Sequence, residues 1–355
     1  MINLLDLTTK ELEDFIIGLG LPKFRAAQIR SFLYKGVFDF DQMHNVPKDI
    51  REKLKDLEAK GEITSGKLNV LDSRESKDGS TKKCLFEFTD GNAVETVLMR
   101  YKYGNSVCIS TQAGCRMGCR FCASTLLGLK RNLTPGEMIA QILSVTPPGE
   151  RIGHIVLMGT GEPFDNYENV KKLIELVGNP KELSIGHRSI TISTCGIVPV
   201  IRKFTEELPQ VNLAISLHGP NNRIRSATMP VNDAYPLEVL LPAVAEHAAK
   251  TGRRVTFEYT LVADTNDSLY HAEELAALIK ANFNNKKNNG GLAHINLIPL
   301  NKVEETGLES STRAQAEMFK ARLTELGIPA TIRREMGADI DAACGQLRLK
   351  HEEKA

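Results

Sequence analysis

The sequence predicts an α/β fold: a partial TIM-type βα barrel over residues 106–335, preceded by a small helical module and a β-hairpin extension. Three observations predict it. Strand-like and helix-like stretches alternate from residue 106 to about 335, as in repeated βα units. The strand-like runs, at 106–110, 154–158, 189–193, 212–217, 255–262, 295–298 and 330–333, are rich in apolar residues, as strands covered on both faces are. Small and polar residues collect where those runs end, and the C-terminal strand ends are where βα barrels place their chemistry.

Residues 1–60 read as short helices. Thr8-Thr9-Lys-Glu11 offers an N-cap ahead of Leu12, Phe15 and Ile16, and Gly18, Gly20 and Pro22 end that helix. Phe24, Ala27, Ile29, Phe32 and Leu33 recur at helical spacing, and a third pattern from Pro47 carries Ile50, Leu54 and Leu57. Lys23, Arg25, Arg30 and Lys35 are candidate phosphate contacts, but ten basic residues here balance ten acidic ones, so a solvated charged face explains them equally. Residues 61–105 change character. Cys84-Leu-Phe-Glu-Phe, Asp90-Gly91-Asn and Ala93-Val-Glu95-Thr-Val read as a hairpin about an Asp-Gly turn.

Within the barrel, helix-like patterns at 134–143, 170–177, 237–249, 269–281 and 314–326 separate the strands, the first opened by Thr134 as N-cap and Pro135 at the first helical position. The second strand ends in Met158-Gly-Thr-Gly161-Glu162-Pro163, the third in Ser193-Thr-Cys195-Gly196, the fourth in Ser216-Leu217-His218-Gly219 and the sixth in Ile298-Pro-Leu-Asn301. Glycine lets backbone approach a ligand, and Glu162 is an acceptor for an ammonium group. Each motif alone is ordinary turn chemistry; their agreement at successive strand ends is the signal.

The first strand ends at Cys108-Ile-Ser-Thr-Gln-Ala-Gly-Cys115-Arg-Met-Gly-Cys119-Arg-Phe-Cys122, which holds four of the seven cysteines. The last three are spaced C-x3-C-x2-C. No nearby His or Cys offers a fourth donor, since the next are His154 and Cys195. Three protein ligands and one open position suit a catalytic cluster or metal. Cys84 and Cys195 read as packing residues.

Composition bounds the rest. A 42% apolar, 25% charged chain of net charge +1 is an ordinary globular protein with no global basic field for nucleic acid. Contacts to RNA would then come from local patches, with Lys82-Lys83, Lys130-Arg131, Arg333-Arg334 and Arg348 with Lys350 as candidates. The N-terminus lacks a signal-peptide pattern and no apolar run is long enough to span a bilayer. Seven mostly clustered cysteines do not read as a secreted disulfide framework, so a reducing cytoplasm is expected.

The C-x3-C-x2-C loop after a strand resembles the signature of the radical S-adenosylmethionine (SAM) superfamily. Over nearly the whole chain, through Asp339-Ile-Asp-Ala-Ala-Cys344-Gly-Gln-Leu, the sequence resembles the RlmN/Cfr branch of that superfamily, which methylates adenine carbons in RNA. The resemblance implies a [4Fe–4S] cluster on Cys115, Cys119 and Cys122. It implies a SAM site lined by Gly161, Glu162, Ser193, Ser216, Leu217, His218 and Asn301. It makes Cys344 the methyl carrier, Cys108 the partner thiol that resolves it, and Glu95 the proton acceptor, with residues 336–355 as a C-terminal loop carrying Cys344. The implied activity is methylation of adenine C2 in 23S rRNA near the peptidyl-transferase centre and in tRNA 3′ of the anticodon, by a monomer supplied by a flavodoxin- or ferredoxin-like electron donor.

Three alternatives stay open. One is the C8 methylase of the same branch, which tends to lack a proline after the Gly-Glu pair, whereas this chain has Pro163. Another is an iron–sulfur RNA-binding or electron-transfer protein, and a third is a zinc-binding structural module.

Overall fold

A computed structural model of the chain describes residues 1–126, 128–283, 291–300, 307–334, 337 and 340. The N-terminal module begins with strand β1 (Ile2–Asn3) and helices α1 (Thr9–Gly18), α2 (Arg25–Leu33) and α3 (Lys48–Ala59), and closes with β2 (Ile63–Thr64), which pairs parallel with β1. Thr8 caps α1 with a full capping box through Glu11, satisfying two otherwise orphaned donors. The extension is a meander of β3 (Asn69–Glu75), β4 (Thr81–Glu87) and β5 (Ala93–Tyr101). The Asp90-Gly91 turn sets the β4–β5 register, pairing Leu85 with Glu95 and Lys83 with Val97. The expected hairpin thus carries an added edge strand, β3.

β5 pairs antiparallel with β6 (Gly104–Cys108), the first barrel strand, and β7 (Gln112–Gly114) and β8 (Leu129–Asn132) follow as a small separate ribbon. Then come α4 (Pro135–Val145), β9 (Ile152–Leu157), α5 (Tyr167–Gly178), β10 (Ile190–Thr194), α6 (Val198–Glu207), β11 (Asn212–Ser216), α7 (Asn222–Thr228), α8 (Val231–Ala234), α9 (Leu237–Thr251), β12 (Val255–Leu261), α10 (Leu269–Phe283), β13 (Ala293–Pro299), α11 (Arg313–Glu325) and β14 (Ala330–Ile332). One ten-stranded sheet runs β14-β13-β12-β11-β10-β9-β6-β5-β4-β3, parallel from β6 to β14. Among the described residues its edges, β3 and β14, do not pair, so the barrel is open: a partial barrel and not a closed one.

Buried aliphatic and aromatic side chains of the N-terminal module and of the barrel belong to one continuous core. Polar contacts reinforce the join. The Asp6 carboxylate accepts from Gly136 N at 2.6 Å at the start of α4, where a helix N-terminus favours negative charge. Arg30 is buried, ion-paired to Glu182 and donating to Leu7 O at 2.5 Å. It is therefore committed to this join and is not a phosphate contact.

Candidate active site

The cysteine loop lies between β7 and β8, past the C-terminal end of β6. Its backbone is held at several points. Cys115 N donates to Gly128 O at 3.2 Å, Cys122 N to Cys119 O at 3.0 Å, and Arg120 N to Thr228 O at 2.9 Å. Thr125 Oγ1 donates to both Cys119 O and Cys122 O, at 3.1 and 2.8 Å. Gly114 has φ +84° and a Cβ there would stand 1.9 Å from Gly128 O, so only glycine fits the turn that delivers Cys115. Phe121, Met117, Ile197, Met229 and Val231 pack around the thiols.

Cys115, Cys119 and Cys122 are free thiols. Burial pushes all three up, Cys115 to about 12, and Cys122 presses further on the other two as it ionises. Three thiolates therefore coexist here only around positive charge, which fits an iron–sulfur cluster. Among the described residues no three His, Cys, Asp or Glu side chains converge on a single-ion position. A zinc site would require that convergence, whereas a cluster spreads its thiolates over separate irons.

The strand ends after β9, β10 and β11 are stitched to this loop and to one another. Gly159 passes so close to β6 that a Cβ would meet Ile109 O at 2.6 Å; at Gly161, φ +108°, a Cβ would meet Gln112 Cβ at 2.6 Å. Gln112 Oε1 accepts from Glu162 N at 2.8 Å, and its Nε2 donates to Asp165 and Asn132. The buried Glu162 carboxylate takes Phe164 N at 2.9 Å on one oxygen and Cys195 N at 2.8 Å on the other. It pins the β10 turn to the β9 turn and keeps further lone pairs for a ligand. Burial raises its pKa, against the pull of those donors. Ser193 and Ser216 hydroxyls lie 3.5 Å apart on neighbouring strands.

Leu217 is buried, its N–H bonded to Glu258 O. His218 has φ +51° and its ring meets Phe121 of the cysteine loop edge-on at 4.6 Å. Its Nδ1 accepts from Thr260 N at 2.9 Å, which leaves the proton of the neutral ring on Nε2. Burial, helped by the Arg225 charge, holds its pKa down to about 3, so His218 is a neutral donor at physiological pH.

On the extension side, Glu95 is buried within β5 and ion-paired to Lys83 of β4, Nζ to Oε2 3.1 Å, both nearly inaccessible at 0% and 2% side-chain exposure. Ser110 Oγ donates to Glu95 O at 2.7 Å. Cys108 faces this pair: burial raises its thiol, the Arg333 and Lys83 charges lower it and the Glu95 charge raises it. The Glu95 charge also raises the Cys122 thiol, after burial as the main cause. Asn301 and Cys344 lie outside the described residues.

The other expected positions thus converge at the C-terminal strand ends. Sequence reasoning missed several residues that organise them. Arg225 of α7 is fully buried, with Nη2 on Cys195 O at 2.6 Å and Nη1 on Asn232 Oδ1 at 2.7 Å. Its backbone lies so near Gly219 that a Cβ there would stand 2.9 Å from Arg225 N. Gln141 of α4 bridges Ser110 N, Ser110 O and Thr96. Lys83 was grouped with Lys82 as a basic patch, yet hairpin register alone, counted from the Asp-Gly turn, places it diagonal to Glu95. Arg131 likewise pairs with Asp90 and Glu137 and lies over Phe88. Lys130, Arg333 and Arg334 are exposed.

Comparison with known proteins agrees with this geometry. Residues 2–59 match the family described as ribosomal RNA large subunit methyltransferase N-terminal domain, and residues 109–276 match the radical SAM superfamily. A probable dual-specificity RNA methyltransferase RlmN from Clostridium tetani is 48% identical over 352 residues, covering 99% of this chain and 97% of the relative. One from Geobacillus kaustophilus is 49% identical over 357 residues, covering 99% and 94%. The crystal structure of a radical SAM methyltransferase from Sphaerobacter thermophilus superposes with TM-score 0.89 at 41% identity, covering 98% of this chain and 99% of that one.

Proposed function

This chain belongs to the RlmN family of radical SAM RNA methyltransferases, and from that premise we propose that it methylates adenine C2, both in 23S rRNA near the peptidyl-transferase centre and in tRNA 3′ of the anticodon. The family works with a [4Fe–4S] cluster and SAM. Cys115, Cys119 and Cys122 would hold the cluster, whose electron cleaves SAM to a 5′-deoxyadenosyl radical. Gly161, Glu162, Ser193, Ser216, Leu217, His218 and Asn301 would line SAM.

One observation carries the reading beyond SAM cleavage. Glu95 and Cys108 share one face of the sheet: Lys83, Val97 and Cys108 stand in register across β4, β5 and β6, with Glu95 two residues along β5. Cleaving SAM needs neither a buried carboxylate nor a second thiol, but methylating an electron-poor ring carbon needs both. Adenine C2 is not nucleophilic, so direct displacement on SAM fails. A thiolate, by contrast, accepts a methyl group readily. In this reading Cys344 takes the methyl group, loses a hydrogen atom from it and joins the adenine ring through the resulting carbon. Glu95 removes the ring proton, and the adduct gives up its one unpaired electron, for which the oxidised cluster would be the acceptor. Cys108 then attacks the sulfur of Cys344, the S–C bond breaks with its electron pair on the carbon, and that carbon takes a proton to complete the methyl group. The Cys108–Cys344 disulfide left behind is reduced by exchange with an external thiol.

The RNA would approach over exposed Lys130, Arg333 and Arg334, with the target base splayed out of its stack. The chain would act as a cytoplasmic monomer with a flavodoxin- or ferredoxin-like donor; among the described residues no helix is long and apolar enough to cross a membrane. Mass spectrometry of rRNA and tRNA nucleosides from cells expressing the chain tests the regiochemistry. We expect 2-methyladenosine in both, and 8-methyladenosine alone would move the reading to C8. Cys344→Ala should abolish RNA methylation, and methylated RNA from that variant would refute the relay.

A further inference from the structure

The buried ion pair beside Cys108 contains a residue that the relay does not name. Lys83 Nζ lies 3.1 Å from Glu95 Oε2 with neither side chain exposed. Two charges taken out of water carry a large desolvation penalty, and such pairs are often no more stabilising than apolar residues. Stability therefore gives a weak reason to bury a lysine in this strand. Function gives a stronger one. A buried carboxylate without a counter-charge protonates, and a protonated Glu95 cannot accept a proton.

Resting on the assignment of Glu95 as proton acceptor, we infer that Lys83 is a positioning residue for RNA methylation: its ammonium aims the Glu95 carboxylate and supplies a counter-charge beside it until the ring proton is transferred. Among the described residues, four charged or titratable groups face the pair from neighbouring elements. Arg74 of β3 stands across from Lys83 in register. Cys108 faces from β6, Cys122 from the cluster loop and Arg333 from the end of β14. Val97 and Leu85, the direct cross-strand partners of Lys83 and Glu95, are apolar.

In the step itself the C2–H bond of the radical adduct breaks and the proton goes to a Glu95 carboxylate oxygen; of the bonding pair and the unpaired electron the ring keeps two, and one would leave for the oxidised iron–sulfur cluster. Glu95 is then neutral, and the Lys83 charge still acts on Cys108, whose thiolate it favours. The same ammonium would thus serve the base before the transfer and the attacking thiolate after it.

The test uses reconstituted full-length protein with rRNA substrate and three variants, Lys83→Met, Lys83→Arg and Glu95→Gln. Covalent enzyme–RNA adduct is read on denaturing gels, and 5′-deoxyadenosine and methylated RNA are read alongside. Lys83→Met should form 5′-deoxyadenosine within about 2-fold of the parent, accumulate adduct and release product on the order of 10²-fold more slowly, the scale of a lost general base. Lys83→Arg keeps the charge and should restore most of the release. If Glu95→Gln traps adduct while Lys83→Met releases product at the parent rate, the inference about Lys83 falls alone. If Glu95→Gln releases product normally, the base assignment falls first. The double variant Lys83→Met/Glu95→Gln covers a folding failure. The double variant also removes the carboxylate that Lys83 pairs with, so it should melt higher than Lys83→Met; an equal or lower melting temperature would overturn the pairing.

Discussion

Gly114→Ala should detach the first cysteine of the loop. At φ +84° an L-residue pays about 1–2 kcal/mol for the left-handed backbone. The new Cβ would stand 1.9 Å from Gly128 O, so that carbonyl must retreat by more than about 1 Å to reach ordinary contact. The same carbonyl accepts from Cys115 N at 3.2 Å, and losing that bond costs about 1 kcal/mol more. The sum is about 3 kcal/mol. An unfolding entropy of about 2.1 cal/mol/K per residue over 355 residues converts this to a fall of about 4 °C in Tm. The functional effect is larger, because the movement displaces the Cys115 sulfur. Iron and sulfide content after anaerobic reconstitution should fall well below that of the parent. Gly128→Ala is the matched control: it also has positive φ, but nothing lies within 4 Å of its added Cβ. It should lose about 1 kcal/mol and keep its iron. A Gly114→Ala protein with full iron content and a Tm within about 1 °C of the parent would refute the steric argument.

Two further outcomes follow from buried cationic groups. Arg225→Met leaves Cys195 O and Asn232 Oδ1 without their donors, each worth about 1–3 kcal/mol when buried. Isothermal titration of the reconstituted protein should show a raised Kd for SAM with iron content retained, because the turns after β10 and β11 lose their shared anchor. An unchanged Kd would place SAM elsewhere. His247 is stacked on Phe204 and bonded to Thr205 Oγ1, and burial pushes its pKa down to about 4. Its folded pKa lies below the unfolded value of about 6.5, so the stability it contributes is complete above that pH and is lost as pH falls towards 4. Between pH 7.5 and 5 the loss is about 2 kcal/mol. His247→Gln should flatten that part of the Tm–pH curve, and an unaltered slope would refute the assignment.

Local chemistry wrote much of this protein into its sequence. The capping boxes at Thr8 and Thr134 form as their spacing demands, because both partners lie within one turn of helix. The Asp90-Gly91 turn and the alternation of strands and helices are of the same kind, and the cysteine spacing with its positive-φ glycines shapes the loop, which Thr228 and His218 then hold from a distance. The strand-end motifs were legible because parallel βα topology brings every C-terminal strand end to one side.

What tertiary structure alone decided was the fate of individual charges. Strand alternation and hairpin register already separate Lys83 from Lys82, but the burial that makes Lys83 the ion-pair partner of Glu95 comes only with the folded chain. Arg30 and Arg131 looked like phosphate contacts, yet each closes an ion pair with a residue distant in sequence, Glu182 and Asp90. Arg225 became the anchor of the turns after β10 and β11 because α7 brings its guanidinium to Cys195 O and its backbone against Gly219. Charge identity is local, whereas desolvation and counter-charge come from segments brought together only when the chain has folded. The sequence determined which chemistries were available; packing determined which charges were free to perform them.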